Sequence, residues 1–172
     1  MTSTDTRMEV ARAIAAPAAD IFAVLTSPQG HVDIDASGML MSATGDVATA
    51  VDDRFVVHMD REALNDFPLG LYDVEVQIVT FEAEREVAWT IQGQIKPQIG
   101  HVYGYRLEPV TTEDGGTATM VTSYYDWSDI DDHWKAADIF PVISEVNLRA
   151  TLGILARTVA PGVPRPALAS AD

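Results

Sequence analysis

Three side chains able to handle protons recur at alternate positions in one short run, His101, Tyr103 and Tyr105 in HVYGYRLEPV. In an extended chain this spacing puts all three on one face with Leu107, while Arg106 and Glu108 point the other way. Imidazole has the unperturbed pKa nearest neutrality, and tyrosine joins a large apolar body to a hydrogen-bonding tip. An imidazole and two phenols looking into an apolar chamber suit proton transfer to or from a carbonyl or enol, as a cyclase or dehydratase requires. They equally suit recognition, because a pocket needs only a few polar groups to orient its ligand. Recognition is the leading expectation; catalysis by His101, Tyr103 and Tyr105 is the alternative.

Other residues are candidates for the same chamber. Phe55 and Met59 share one parity, which turns His58 away, and Tyr72 begins the next alternating run. Trp89 lies between Val87 and Ile91 on one face, and Ser123, Tyr125 and Trp127 form a set on the last strand. Met120 and Tyr124 are the alternative inner set there. Ile143, Val146 and Asn147 are the candidates from the C-terminal helix, with Asn147 either reaching into the chamber or bonding to a loop. Two stretches carry ligand-type residues for a metal, His31-Val-Asp33-Ile-Asp35 and Asp129 to His133. Glycine and serine make the first turn-rich, and acids ahead of a helix usually cap or face water, so no metal is expected. No Gly-rich loop joins a strand to a helix and no serine sits in a nucleophile elbow, so no cofactor is expected either.

The elements that must position these residues follow from local pattern. Met8 to Ile14 reads as a strand, Pro17 introduces a short helix over AADIFAVL, and Ser27-Pro28 stops it before a second helical turn or loop. The period then switches to two: Gly38–Thr44, Asp53–Met59, Tyr72–Ile78, Val87–Ile91, His101–Leu107 and Thr117–Trp127 read as strands. Asp114-Gly115-Gly116 marks a tight hairpin before the last of them. Short connections between consecutive strands imply an antiparallel meander. From Ile139 to about Val159 the period is helical, over roughly 30 Å. Ile139, Val142, Ile143, Val146, Ala150 and Ile154 form one apolar side, and Leu148, Leu152, Leu155 and Val159 the other. A helix apolar on two sides must be covered twice, by the sheet and by loops or a second subunit, which leaves a homodimer open.

The 172 residues suit one domain over 8–160, with flexible termini at 1–7 and 161–172, the latter disordered or draped over the surface. The net charge of −15 repels phosphate backbones and anionic headgroups, so no nucleic-acid partner is expected. No apolar run approaches the ~20 residues of a membrane span, so no membrane insertion is expected. With no cysteine and an N-terminus lacking a signal pattern, a cytoplasmic location is expected.

The order of elements, an α+β arrangement of a strand, two short helices, antiparallel strands and one long terminal helix, resembles the helix-grip fold of the START/SRPBCC superfamily. The resemblance covers roughly residues 8–160. It is carried by IAAPAADIFAVLTSP, HVDIDASG, DDRFVVHM, EVAW, YGYRLEPV, DGGTATMVTSYYDWS and the final helix. That superfamily groups polyketide cyclases and aromatases, lipid-transfer domains and birch-pollen-allergen-like proteins. Membership implies a deep cavity between a curved sheet and the terminal helix, holding a lipid, polyketide or aromatic metabolite. It supplies no universal catalytic set, since these motifs mark turns and packing.

Overall fold

A strand that ends buried at Ala13 and Ile14, β1 (Arg7–Ile14), opens the chain in the computed structural model, which describes residues 5–171. Two short helices follow, α1 (Ala18–Thr26) and α2 (Pro28–Ile34). Ser27 separates them and caps the second, its hydroxyl accepting the Gly30 N–H at 3.2 Å, with Pro28 in the first turn where no N–H is needed. The corner is tight: a Cβ on Gly30 would lie 1.9 Å from the Val24 carbonyl oxygen, so only glycine fits.

Five strands then run in sequence: β2 (Leu40–Thr44), β3 (Arg54–Asp60), β4 (Leu71–Glu82), β5 (Glu86–Gln92) and β6 (Val102–Thr111). A hairpin, its Gly115 at φ +82°, leads to β7 (Thr117–Asp126). Every pairing is antiparallel, and the seven-stranded order is β1-β7-β6-β5-β4-β3-β2. The first strand closes onto the last, so a meander of local hairpins needs one long-range pairing. Between β3 and β4 stands a single 3₁₀ turn, Arg61–Leu64, followed by a loop to Gly70.

Register settles which face is inner. Trp89 pairs with Tyr103, Tyr103 with Tyr125, and Tyr125 with Met8, so these share the concave side. Tyr124 and Met120 therefore face outward. The Tyr124 ring lies across Gly104 under the Arg7 guanidinium, 4.2 Å from its centroid, and its hydroxyl donates to Glu86 at 2.7 Å.

After β7 comes α3 (Asp132–Ala137), a turn and a half that the sequence pattern does not reveal, because six residues are too few for a period. The terminal helix α4 (Glu145–Val159) starts later than the expected Ile139. Ser144 and Asn147 form a reciprocal cap that fixes the first turn, leaving Ile139 to Ile143 as a non-helical approach. The helix buries Leu148, Leu152, Leu155 and Ala156 at i, i+4, i+7 and i+8 spacing. The other expected face packs only in part: Val142, Ile143 and Ile154 are half-buried against the core, while Val146 is 71% exposed and Ala150 is exposed. The leucines that called for a second cover are thus enclosed by this chain's own sheet and short helices, and a second subunit has no claim on them.

The tail turns back to the sheet, with the Glu113 N–H donating to the Ala167 carbonyl and the Ala169 N–H to the Thr111 carbonyl. Of the ends expected to be flexible, residues 1–4 and 172 lie outside the described residues. No described helix is long and apolar enough to cross a membrane.

Candidate functional site

α4 packs mainly against β1, so the helix covers one end of the sheet and leaves the concave face of β3 to β6 open beneath it. There lies a chamber of about 740 Å³. That is within the range of small-molecule sites, roughly 300–1,000 Å³. Its floor is the sheet: Val57 and Met59 of β3, Tyr72, Val74 and Val76 of β4, Trp89 and Ile91 of β5, and Tyr103 and Tyr105 of β6. α2 contributes His31 and Ile34 on one side, and Phe140, Val142 and Ile143 close the side toward α4. The loop after β3 and the loop before β6 bring Leu64, Phe67, Leu69 and Ile95, and with Ile139 these exposed apolar side chains make the rim.

The β6 row expected from alternation is brought together here. Trp89 stacks against Tyr103 and Tyr105, with ring centroids 6.3 and 5.9 Å away. His101 stands one residue before β6, buried, its carbonyl accepting the Thr90 hydroxyl at 2.8 Å. Its Nδ1 lies 2.8 Å from the Tyr125 hydroxyl, while Phe140 meets its ring edge-on at 5.9 Å. Burial lowers the His101 pKa to about 4, so the imidazole is neutral at physiological pH. Burial also pushes Tyr105 up to about 12 and raises Tyr103, so both phenols keep their protons.

Other candidates stand back from the chamber. Phe55 is buried behind the ring of His31, 5.0 Å away. Tyr125 is fully buried behind His101 and Tyr103, Ser123 is buried with the Tyr105 hydroxyl beside it, and Trp127 stacks on the far side of Tyr125 at 5.2 Å. The register places Ser123 and Tyr125 on the concave face, but none of the three lines the chamber. Val146 points to solvent because the helix turns its leucines inward. Asn147 reaches the chamber's edge, yet its side-chain oxygen is committed to the cap, accepting from the Ser144 N–H at 2.9 Å and hydroxyl at 2.8 Å.

Among the polar residues of the chamber that strand parity could not place are His31 and Arg61. His31 sits on α2, fully enclosed, with its Nε2 at 2.7 Å from the Leu25 carbonyl. A carbonyl only accepts, so Nε2 carries the proton and Nδ1 is left as an acceptor. Burial lowers its pKa to about 4, opposed by the Leu25 bond. Arg61 opens the 3₁₀ turn, with its side chain 15% exposed. Its Nε and Nη2 donate to the two Asp66 oxygens at 2.8 and 2.7 Å, and that carboxylate holds its pKa above the ordinary guanidinium value. The signal for Arg61 in sequence is one basic residue in a loop between two half-buried strands.

The acidic stretches serve turns. Asp33 accepts from Gln29, and Asp35 takes the Ser37 N–H and hydroxyl and the Leu40 N–H. Asp131 caps α3 through the His133 N–H, and Asp132 pairs with Lys135. Among the described residues no three His, Asp or Glu side chains converge as metal ligands do.

Comparison with known proteins places this geometry in a wider fold. No family model matches the chain. No curated protein matches it either. Solved structures do. The truncated norcoclaurine synthase of Thalictrum flavum is similar at 15% identity, with a TM-score of 0.58 over 90% of this chain and 92% of that one. The Aha1 dimer of Colwellia psychrerythraea is similar at 17% identity, TM-score 0.55, over 91% and 98% of the two chains. Ginseng major latex-like protein 151, from Panax ginseng, is similar at 10% identity, TM-score 0.52, over 90% and 97%. At such identities the likeness is one of fold. The chain has the helix-grip architecture, with a seven-stranded antiparallel sheet, two short helices and a long C-terminal helix.

Proposed function

We propose that this protein binds a small hydrophobic molecule, of the lipid, polyketide or aromatic-metabolite class, in the chamber between the sheet and the approach to α4. The observation that carries this reading is the chamber itself, about 740 Å³ of space walled by aliphatic and aromatic side chains. Leaving such a volume unfilled in a core forfeits packing, which an apolar guest restores.

Recognition is better supported than proton transfer. A general base works best when its pKa lies near the operating pH. His31 and His101 are both held at about 4, where the imidazole is a weak base and serves as a neutral hydrogen-bonding group. A cyclase or dehydratase built on His101 would need a bound substrate to raise that value.

Titration with the neutral fluorophore N-phenyl-1-naphthylamine tests the reading, with Ile91→Trp as a variant that fills the chamber. Saturable binding to the wild type and its loss in the folded variant is the expected result. Absence of binding, or equal binding to both proteins, refutes it.

A further inference from the structure

The chamber's one cationic side chain has a donor to spare. Arg61 is the single Lys or Arg among the described residues lining it. Two of its nitrogens are satisfied by Asp66, but Nη1 has only distant partners, the Tyr72 hydroxyl at 3.4 Å and the Met39 sulfur at 3.8 Å. These are poor acceptors for a guanidinium, whose planar fork is matched by a carboxylate. The two acids on the wall do not supply one. Asp35 is consumed by its own turn, and Asp66, on the more exposed side, is already shared. The neighbouring Tyr72 and Tyr103 present hydroxyls to the same corner, where the charge of Arg61 reaches Tyr103.

We propose that the ligand is an amphiphile with an acidic end, a carboxylate on an apolar body, and that Arg61 receives this end with Tyr72 while the body lies along Trp89 and Ile91. This rests on the binding function proposed above and adds the ligand's polarity and orientation. Asp66 is then a placeholder, holding the guanidinium in position and yielding part of it to the incoming anion. The opposing assignment is that Arg61 only staples its loop through Asp66. In that case acidic and neutral ligands fare alike.

Matched probes separate the two: 2-naphthoate against 2-naphthylmethanol, and dodecanoate against dodecan-1-ol, each followed by tryptophan fluorescence or calorimetry. In the wild type the acid of at least one pair binds about tenfold more tightly than its alcohol, the effect of a charge-assisted hydrogen bond. The pair that binds more tightly assigns an aromatic or an alkyl body. Arg61→Gln erases the acid's advantage, and Asp66→Asn, which leaves the guanidinium in place, enlarges it; the second variant decides the matter if the first does not fold. Equal binding of acid and alcohol in both pairs, or parallel loss of both in Arg61→Gln, overturns the proposal while leaving the binding function standing. Failure of all four probes to bind overturns both.

Discussion

Replacing His31 by glutamine reports on how the interior treats charge. The imidazole titrates at about 4 in the folded protein against an ordinary value of 6.5, with burial as the main cause. Between those values the unfolded chain holds a proton that the folded chain refuses. Stability therefore falls as pH falls through this window, and it is unaffected above the unfolded value. The slope for one such group is about 1.4 kcal/mol per pH unit. Over the window it amounts to about 3 kcal/mol, as an upper figure because the unfolded chain is not a free imidazole. His101 shares the shift, so the wild type carries two groups of this kind. Glutamine keeps an N–H for the Leu25 carbonyl and removes the titration. It also loses ring contacts with Phe55 and Trp89, at 5.0 and 4.5 Å, so it lowers stability at every pH. The reading lies in the slope, not the offset. Urea unfolding from about pH 7 down to about pH 5 then gives a His31→Gln profile flatter than the wild type by about one proton's worth. The carboxylates with lowered pKa, Glu9 and Asp66 among them, act equally in both proteins and cancel. Parallel profiles, or a His31 ring resonance titrating near 6.5, refute the argument.

Two further outcomes follow from packing. Gly30→Ala brings a methyl to 1.9 Å from a backbone carbonyl, so it destabilises by about 3 kcal/mol or more; a thermal melt within a degree or two of wild type would show that the corner between α1 and α2 yields. Leu152→Ala, at a side chain 1% exposed, costs about 2–5 kcal/mol, and Val146→Ala, 71% exposed, stays within about 0.5 kcal/mol. Equal losses at the two positions in chemical denaturation would mean that both faces of α4 are covered in solution.

Much of the fold was legible because strand parity and hairpin chemistry are local. Asp114-Gly115-Gly116 and the alternation from His101 to Leu107 each specify an outcome without reference to the rest of the chain. The end of the sheet was not legible, since pairing of β1 with β7 joins residues more than a hundred positions apart. Nor did the helical period reveal where α4 begins. Ser144 and Asn147 decide it, and a capping pair inside a longer apolar pattern is hidden by that pattern. The inward face of α4 was ambiguous for a related reason. Both candidate sides were apolar, and only contact with the sheet selects the leucines.

The chamber divides along the same line. Tyr103 and Tyr105 were found by parity because a strand has two faces and one of them must be inner. Ser123, Tyr125 and Trp127 obey the same parity and still miss the chamber, since parity gives the face of a sheet but not the position along it where a helix lies. His31 and Arg61 arrive from a short helix and a 3₁₀ turn, whose side-chain directions depend on docking. Composition hid Arg61 in a second way. A net charge of −15 is an average over a surface screened within about 8 Å at physiological ionic strength, and it predicts repulsion of anions. Inside the chamber the Arg61 guanidinium acts at contact distance with little screening, and its Nη1 is the donor that an approaching acid meets. The acidic exterior therefore slows capture of an anionic ligand without weakening its hold once bound. Added salt is accordingly expected to speed association of 2-naphthoate more than it changes the rate of its release.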